Sequence, residues 1–291
     1  MANPAIHPLS NQLQRSYLER IAIAELPTTA DEATLRRLHR AHLMAVPFEN
    51  LDIHIGQPIV LDPEPILTKI VEDRRGGFCY ELNGSFAALL QSLGFDVTFL
   101  EARVHGEGGL GIRFDHLCLR VDLEQPFLVD VGFGALFMEP IVLRTSTDLS
   151  GADQTEGDQR FRIEPAPNDD HHTGEAGEDW FDLFQNDEPQ YRFAAYSGLL
   201  SDFEPGCHYH QTSPDSHFTR GTVCTRPTKT GRVTLSGLEL IETNAPTNSP
   251  TASAPVDGRS KLTIEPGELG QVLQSRFGVS LTIEELRSLG D

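Results

Sequence analysis

A cysteine that follows two glycines and opens an amphipathic helix is the first residue that could do chemistry. Residues 74–84 read RRGGFCYELNG, which places Cys79 at the start of that helix. Free backbone N–H groups and the positive end of the helix dipole stabilise a thiolate, so we expect the pKa of Cys79 to fall below its ordinary value of about 8.5. A thiolate is a nucleophile. The alternative interpretation is a small buried hydrophobic residue, the commonest role of a free cysteine.

A histidine and an aspartate downstream are candidate partners of this thiol. Residues 116–123 read HLCLRVDL, and their alternation places His116 at the head of the polar face of a strand. A turn follows, and a hairpin centred near residue 123 brings Asp130 opposite His116, within a register error of one or two residues. A carboxylate next to an imidazole fixes its tautomer and stabilises the imidazolium, which in turn stabilises a thiolate. These residues predict a Cys-His-Asp triad for nucleophilic acyl chemistry.

Two further segments carry less specific patterns. Metal-ligating residue types cluster in one stretch as Cys207, His208, His210 and His217. Their spacing matches no standard zinc pattern, so we predict no metal. The glycine-rich loop 105–111 could present backbone N–H groups to phosphates, but it lacks the GK[ST] of a nucleotide-binding loop, and a flexible connector is the favoured interpretation.

The elements that must position these residues follow from periodicity. Apolar residues recur at helical spacing in the first part of the chain, over 17–23, 32–45, 66–71 and 81–93. From Asp96 the period changes to two, which predicts a region of short strands. A third section, from about Gly206, has strand patterns at 222–228 and 232–242 and a final helix near 283–289.

Two polar segments interrupt these patterns. Residues 151–190 hold twelve acidic residues and two arginines, and predict a solvated excursion from the sheet. Residues 244–259 are rich in proline, serine, threonine and asparagine, and predict a loop or a disordered spacer.

The composition of the chain narrows the range of possible functions and partners. The 291 residues are 38% hydrophobic and 23% charged, as in an ordinary folded protein, and the net charge of -20 argues against a nucleic-acid partner. No apolar run reaches the ~18 residues that a membrane span needs, and the first residues lack a signal-peptide pattern, so we predict a cytoplasmic protein without a membrane partner. The four cysteines are too scattered for a disulfide framework and are predicted to be thiols.

Three motifs together resemble those of the arylamine N-acetyltransferase family. The family's RGGxC(Y/F)ELN is present as Arg75–Asn83, its PFENL as Pro47–Leu51 and its DVGFG as Asp130–Gly134. His116 falls where the triad histidine of the family lies. The resemblance continues through YRF at 191–193 and into the C-terminal third of the chain.

The resemblance implies an α+β fold in three parts with a cysteine-protease-like Cys-His-Asp core. The parts are an N-terminal helical bundle at 1–94 that carries the nucleophile, a β-barrel-like domain at 95–205 that carries the histidine and aspartate, and a C-terminal α/β lid at 206–291. The acidic insertion near 150–180 belongs to the second part.

The resemblance also implies ping-pong acetyl transfer. Cys79 would take the acetyl group from acetyl-CoA, and an arylamine, arylhydrazine or N-hydroxyarylamine would accept it, a role in xenobiotic metabolism. His116 would act as the base and Asp130 would orient it. An amide synthase that closes a polyketide chain, and a thiol hydrolase or transglutaminase-like acyl transferase, stay open as alternatives, as does a homo-oligomer. Local arginines or backbone donors must offset the negative net charge wherever the polyanionic CoA binds.

Residues around the triad also take roles from the resemblance. Phe48, Val104 and Phe133 match walls of an aromatic amine pocket, and Gly132 lets the substrate approach the backbone. Glu49 and Arg75 match a structural ion pair that braces the loop before the cysteine; surface charge is the alternative for these two.

Overall fold

The computed structural model describes residues 8–143, 153–166, 180–196, 199–244 and 258–290. Residues 150–152 and 167–179 of the predicted acidic insertion, and 245–257 of the spacer, lie outside the described residues. The predicted excursion from the sheet is wrong for the described part of 151–190, because residues 154–156, 159–165, 181–185 and 188–190 lie in strands of the central sheet. Among those that are described, no helix is both long enough and apolar enough to span a membrane.

The N-terminal part is mainly helical. Its elements are α1 (Asn11–Arg20), α2 (Glu32–Ala45), β1 (Phe48–Glu49), α3 (Leu51–Ile55), α4 (Pro63–Leu67) and α5 (Cys79–Ser92). The Asp31 carboxylate accepts the N–H of Thr34 at 2.8 Å and caps α2, whose predicted range is confirmed. The last helix begins at Cys79, as predicted, and ends before Gly94, which has a φ of 90°.

The central part is a nearly closed, barrel-like antiparallel sheet. Its strands are β2 (Asp96–Gly106), β3 (Gly109–Leu110), β4 (His116–Asp122), β5 (Pro126–Val129), β6 (Ile141–Val142), β7 (Gln154–Glu156), β8 (Gln159–Pro165), β9 (Phe181–Gln185) and β10 (Glu188–Tyr196). The strand order is β6-β5-β4-β2-β10-β9-β8-β7, with β3 paired to β2. The predicted change to a period of two after Asp96 is therefore confirmed.

Both faces of β4 are buried, and the two faces pack against different cores. Leu117 and Leu119 lie in the core that the sheet shares with α5. Cys118 lies on the opposite face, in the core inside the barrel-like sheet. This strand is therefore the boundary between the helical part and the interior of the sheet.

The β4–β5 hairpin has its centre one residue later than predicted. Leu119 pairs with Val129 and Asp122 with Pro126, which centres the hairpin on Glu124. His116 and Asp130 are therefore offset by two positions along the strand, which is within the predicted register error. The two residues remain on the same face of the hairpin, because a shift of two preserves the alternation of side chains.

The C-terminal part mixes helices and strands. Its elements are α6 (Glu204–Thr212), β11 (Val223–Pro227), β12 (Gly231–Ser236), β13 (Glu239–Asn244), β14 (Arg259–Thr263), α7 (Leu269–Val272) and α8 (Ile283–Gly290). The predicted strand at 232–242 is two strands, because Gly237, with a φ of 58°, makes a turn between them. β1 joins this sheet through Phe48, which pairs with Thr225. The predicted α+β class, with its helical N-terminus, barrel-like sheet and mixed C-terminal part, is confirmed.

Candidate active site

Cys79 is the first residue of α5, and the start of this helix is fixed by charged neighbours. The N–H of Phe78 donates to Glu81 Oε2 at 3.1 Å, so the helix caps itself one residue before the cysteine. The other oxygen of Glu81 accepts from Lys69 Nζ at 2.8 Å. The cysteine is 4% exposed.

The two glycines before the cysteine allow close approach of the PFENL segment. A Cβ on Gly76 would lie 2.1 Å from the carbonyl oxygen of Pro47, a distance that no side chain tolerates. Gly77 accepts the N–H of Glu49 through its carbonyl at 2.9 Å. The first two motifs are therefore neighbours in space, and glycine is required where they meet.

Glu49 and Arg75 belong to a buried network of charges. Arg75 Nε lies 3.0 Å from Glu49 Oε1, and its Nη2 lies 2.7 Å from Asp52 Oδ1. Lys69 Nζ continues the network to Asp52 Oδ2 at 2.6 Å and to Glu81. Glu49 is fully buried, which excludes the alternative of surface charge. The network links the PFENL segment to the cap of the helix that carries the cysteine.

His116 and Asp130 are hydrogen bonded and buried. Nε2–H of His116 donates to Asp130 Oδ2 at 2.8 Å, which leaves Nδ1 of the imidazole free to accept a proton. The other carboxylate oxygen accepts from Asn83 Nδ2 and from the N–H of Gly132, each at 2.9 Å. Asn83 Nδ2 also donates to the carbonyl of Leu117 at 2.6 Å. One asparagine, a helical turn after the cysteine, thus ties α5 to both partner segments.

Backbone contacts place Cys79 next to His116 and Asp130. A Cβ on Gly132 would lie 2.7 Å from Cys79 Cα, so the loop that carries Asp130 packs directly on the cysteine. The sulfur accepts a hydrogen bond from the N–H of Leu117, the residue after His116. The sulfur and the imidazole also line one cavity. The structure therefore brings the three predicted residues together.

The pKa of Cys79 differs from the expectation based on the helix dipole. Burial raises the pKa of Cys79 well above its ordinary value, although the hydrogen bond from Leu117 acts in the opposite direction. For Asp130, burial also acts to raise the pKa, but the adjacent His116 and the hydrogen bonds outweigh it and leave the pKa lowered. A thiolate at Cys79 therefore requires the positive charge of a protonated His116 beside it.

His39 supports the aspartate from behind, and nothing in the sequence pattern singled it out. With the proton on Nδ1, the ring donates to the carbonyl of Met138 at 2.9 Å and accepts the N–H of Asp130 at 3.4 Å through Nε2. Burial lowers the pKa of His39 to about 4, so the ring is neutral. The Asn83 side chain could have been suspected from its position one helical turn after Cys79, whereas the partner of His39 lies 91 positions away.

A cavity of about 750 Å³ opens over the cysteine. All four predicted pocket residues line it, namely Phe48, Val104, Gly132 and Phe133. The ring of Phe133 packs edge-on against the imidazole of His116 with centroids 5.3 Å apart. Residues of the glycine-rich loop 105–111, for which a connector was the favoured interpretation, also line this cavity.

The opposite wall comes from α6 and the turn that follows it. His210 Nε2 lies 2.9 Å from Asp115 Oδ1, and its Nδ1 lies 3.1 Å from Ser216 Oγ. Asp115 directly precedes His116 in the chain. Asp115, His210 and Ser216 all line the cavity. Cys207 lies apart from them, with its sulfur 4.0 Å from the carbonyl of Ile59.

Known proteins resemble this chain over most of its length. A family model described as N-acetyltransferase matches residues 31–286. The arylamine N-acetyltransferase pineal gland isozyme NAT-10 of Gallus gallus is 32% identical over 273 residues, which cover 86% of this chain and 88% of the relative. The crystal structure of Nocardia farcinica arylamine N-acetyltransferase matches with a TM-score of 0.79 and 36% identity over 99% of this chain and 97% of the other. The structure of Mycobacterium marinum arylamine N-acetyltransferase in complex with CoA matches with a TM-score of 0.75 and 27% identity over 96% and 98%.

Proposed function

The chain belongs to the arylamine N-acetyltransferase family, and from this premise we propose that it moves the acetyl group of acetyl-CoA to nitrogen through an acetyl-Cys79 intermediate. The acceptors are arylamines, arylhydrazines or N-hydroxyarylamines. The observation that carries the proposal is the 2.8 Å hydrogen bond between His116 and Asp130 at the point where Cys79 enters the cavity.

In the first half-reaction, Nδ1 of His116 takes the proton of the Cys79 thiol as the sulfur attacks the thioester carbonyl of acetyl-CoA. The carbon–sulfur bond to CoA then breaks, and the imidazolium returns its proton to the leaving CoA thiolate. The Asp130 carboxylate stabilises the imidazolium between these steps and holds the proton on Nε2. The products are acetyl-Cys79 and CoA.

In the second half-reaction, the nitrogen of the amine attacks the carbonyl carbon of acetyl-Cys79. The carbon–sulfur bond to Cys79 breaks, and His116 accepts the proton that the nitrogen loses before the thiol is restored. The two half-reactions use one cavity in turn, which is the basis of ping-pong kinetics. The burial of the cysteine favours the amine over bulk water as the acceptor.

The walls of the cavity support an aromatic acceptor. Phe48, Val104 and Phe133 present apolar surface beside the sulfur, and a flat ring packs well between such side chains. Besides the expected approach of the substrate, we propose a second role for Gly132. A Cβ here would meet the backbone of Cys79, so the absence of a side chain also permits close approach of the aspartate loop to the nucleophile.

We also propose the division into a bundle at 1–94, a barrel-like domain at 95–205 and a lid at 206–291. Separate cores inside the barrel-like sheet and in the C-terminal sheet support it. Near the boundary at 205/206, Leu200, Phe203 and Cys207 pack in the core of the helical part and not in a core of their own domain.

Intact-protein mass spectrometry tests the mechanism. The protein mixed with acetyl-CoA alone is expected to gain one acetyl group on Cys79 by peptide mapping, and to lose it when an aromatic amine is added. Cys79→Ser is expected to gain none, whereas the matched control Cys207→Ser, which removes a thiol outside the cavity, keeps the adduct. An unmodified, still alkylatable Cys79 would contradict acetyl-CoA as the donor and direct attention to carrier-bound polyketides and peptide amides.

A further inference from the structure

A second cavity, of about 370 Å³, lies in the C-terminal part and shares no lining residue with the cavity over the cysteine. It is formed by β11, β12 and β13 and by the helical turn that follows α7. Its lining includes three arginines and three hydroxyl side chains, namely Arg226, Arg232, Arg276, Thr228, Thr230 and Ser275. Such a combination of charged and neutral hydrogen-bond donors is typical of an anion site.

Arg232 has no carboxylate partner among the described residues. Nη1 of its guanidinium donates to the carbonyl of Gly134 and to Thr225 Oγ1. Burial lowers the pKa of Arg232 to about 10, and no neighbouring charge acts against this shift. Removal of a cation from water is costly, and an anion next to it offsets part of this cost. The remaining donors of this guanidinium are available to that anion.

The other two arginines leave the cavity with an excess of positive charge. Within the described part of the chain, Arg226 donates to two carbonyl oxygens, from Nε to Arg276 at 2.7 Å and from Nη1 to Met44 at 2.9 Å. Arg276 forms an ion pair with Glu242, the one acidic residue among the lining residues that the structure describes. Three arginines and one glutamate therefore meet here, in a protein whose net charge is -20. A local excess of positive charge attracts anions.

We propose that this cavity is a phosphate-binding site, which takes inorganic phosphate or the phosphate group of a small phosphorylated molecule. Guanidinium groups bind phosphate oxygens in pairs, and the threonine and serine hydroxyls supply further donors. A volume of about 370 Å³ lies at the lower end of the range for ligand pockets, which suits a small ligand. The proposal does not depend on acetyl transfer.

The cavity lies behind one wall of the cavity over the cysteine. Gly134, the partner of Arg232, contacts the ring of Phe48, and a Cβ placed on it would lie 3.5 Å from that ring. Thr225, the second partner, pairs with Phe48 across the sheet. The phosphate can therefore come from two sources with the same chemistry: a separate phosphorylated ligand, or the phosphates of the acyl donor.

Thermal unfolding of the full chain in inorganic phosphate tests the site. Sodium phosphate is titrated at constant pH, with sodium chloride keeping the ionic strength constant, and the unfolding midpoint is expected to rise and follow a binding curve. Arg232→Met is expected to lose roughly 10- to 100-fold in phosphate affinity, the loss for one charged hydrogen-bonding group. The matched control Arg120→Met removes an arginine from an ion pair with Asp122, and keeps the response. If the methionine variant does not fold, Arg232→Lys replaces it in the test. This variant retains the positive charge and is expected to show a weakened response to phosphate.

Each outcome decides the proposal. A midpoint that responds equally to chloride and phosphate overturns it, as does an unchanged phosphate response in Arg232→Met. If the response is lost and the KM for acetyl-CoA rises while the KM for the amine does not, the phosphate belongs to the acyl donor. If the response is lost and both KM values are unchanged, the cavity serves a separate phosphorylated ligand.

Discussion

Gly132→Ala is the sharpest test of how the aspartate loop and the nucleophile are held together. The Cβ of an alanine would lie 2.6 Å from Asn83 Nδ2, 2.7 Å from Cys79 Cα and 3.0 Å from the Cys79 carbonyl oxygen. Carbon atoms that are not bonded to each other prefer about 3.5–4.0 Å, so the loop must move by about 1 Å. The φ of Gly132 lies outside the left-handed region, and alanine therefore brings no backbone strain of its own.

The displacement acts on the hydrogen bonds that align the proposed triad. Gly132 donates its N–H to Asp130 Oδ1, and Val131 donates to Asn83 Oδ1, both at 2.9 Å. A shift of this size at a catalytic group lowers the rate by roughly 10²-fold. Overpacking of a closely packed site also destabilises the protein by about 1–3 kcal/mol. We expect the rate of acetyl transfer to Cys79 to fall while the KM for the amine changes little.

Stopped-flow measurement of CoA release, without an amine, reports the first half-reaction directly. The matched control is Gly108→Ala, which places the same methyl group on the same cavity with no atom within 4 Å of it. This control is expected to retain the rate. If Gly132→Ala keeps a normal rate of CoA release and raises only the KM for the amine, the residue serves substrate access, and the reasoning from its contacts with Cys79 is refuted.

Three further variants test the surroundings of the site. Asp130→Asn removes the carboxylate that orients the imidazole of His116 and should lower turnover by roughly 10⁴-fold without unfolding the protein; normal turnover would exclude this aspartate from the mechanism. Arg75→Met leaves Glu49 buried without its partner and should destabilise the protein by about 3–5 kcal/mol in urea unfolding, whereas a loss within the roughly 0–1 kcal/mol of surface pairs would contradict a buried network. His39 is buried, and its pKa is lowered from 6.5 to about 4. As the pH falls from 6.5 to about 4, this histidine becomes protonated in the unfolded chain but not in the folded protein, so about 3 kcal/mol of stability should be lost over this range. His39→Gln should flatten that part of the profile of unfolding free energy against pH, and an unchanged slope would show that this ring does not cause it.

The sequence predicts the candidate catalytic residues better than it predicts the residues that hold them in place. Cys79 and His116 were recognised from local patterns, a helix start and a strand alternation, which depend on nearby residues only. The partner of His39, by contrast, lies 91 positions along the chain, and no local pattern encodes such a contact. The hairpin centre lies one residue from the predicted position, within the predicted error, because turn length and not the alternation of side chains sets it. Asp130 lies on the predicted face.

The pKa of Cys79 could not be predicted from the helix start, because burial is a property of the whole fold. The helix dipole is a local effect of about 0.3–1 kcal/mol, whereas the transfer of an unpaired charge into the interior costs several kcal/mol. The proton of the thiol must therefore move to His116 and not to solvent, since this transfer leaves the net charge of the site unchanged. With Asp130 ionised, the site carries one negative charge in either protonation state, and the aspartate stabilises the state with the imidazolium. Burial of the cysteine and pairing of the histidine with the aspartate therefore act on the same proton transfer: burial disfavours loss of the proton to solvent, and the aspartate favours its transfer to the imidazole.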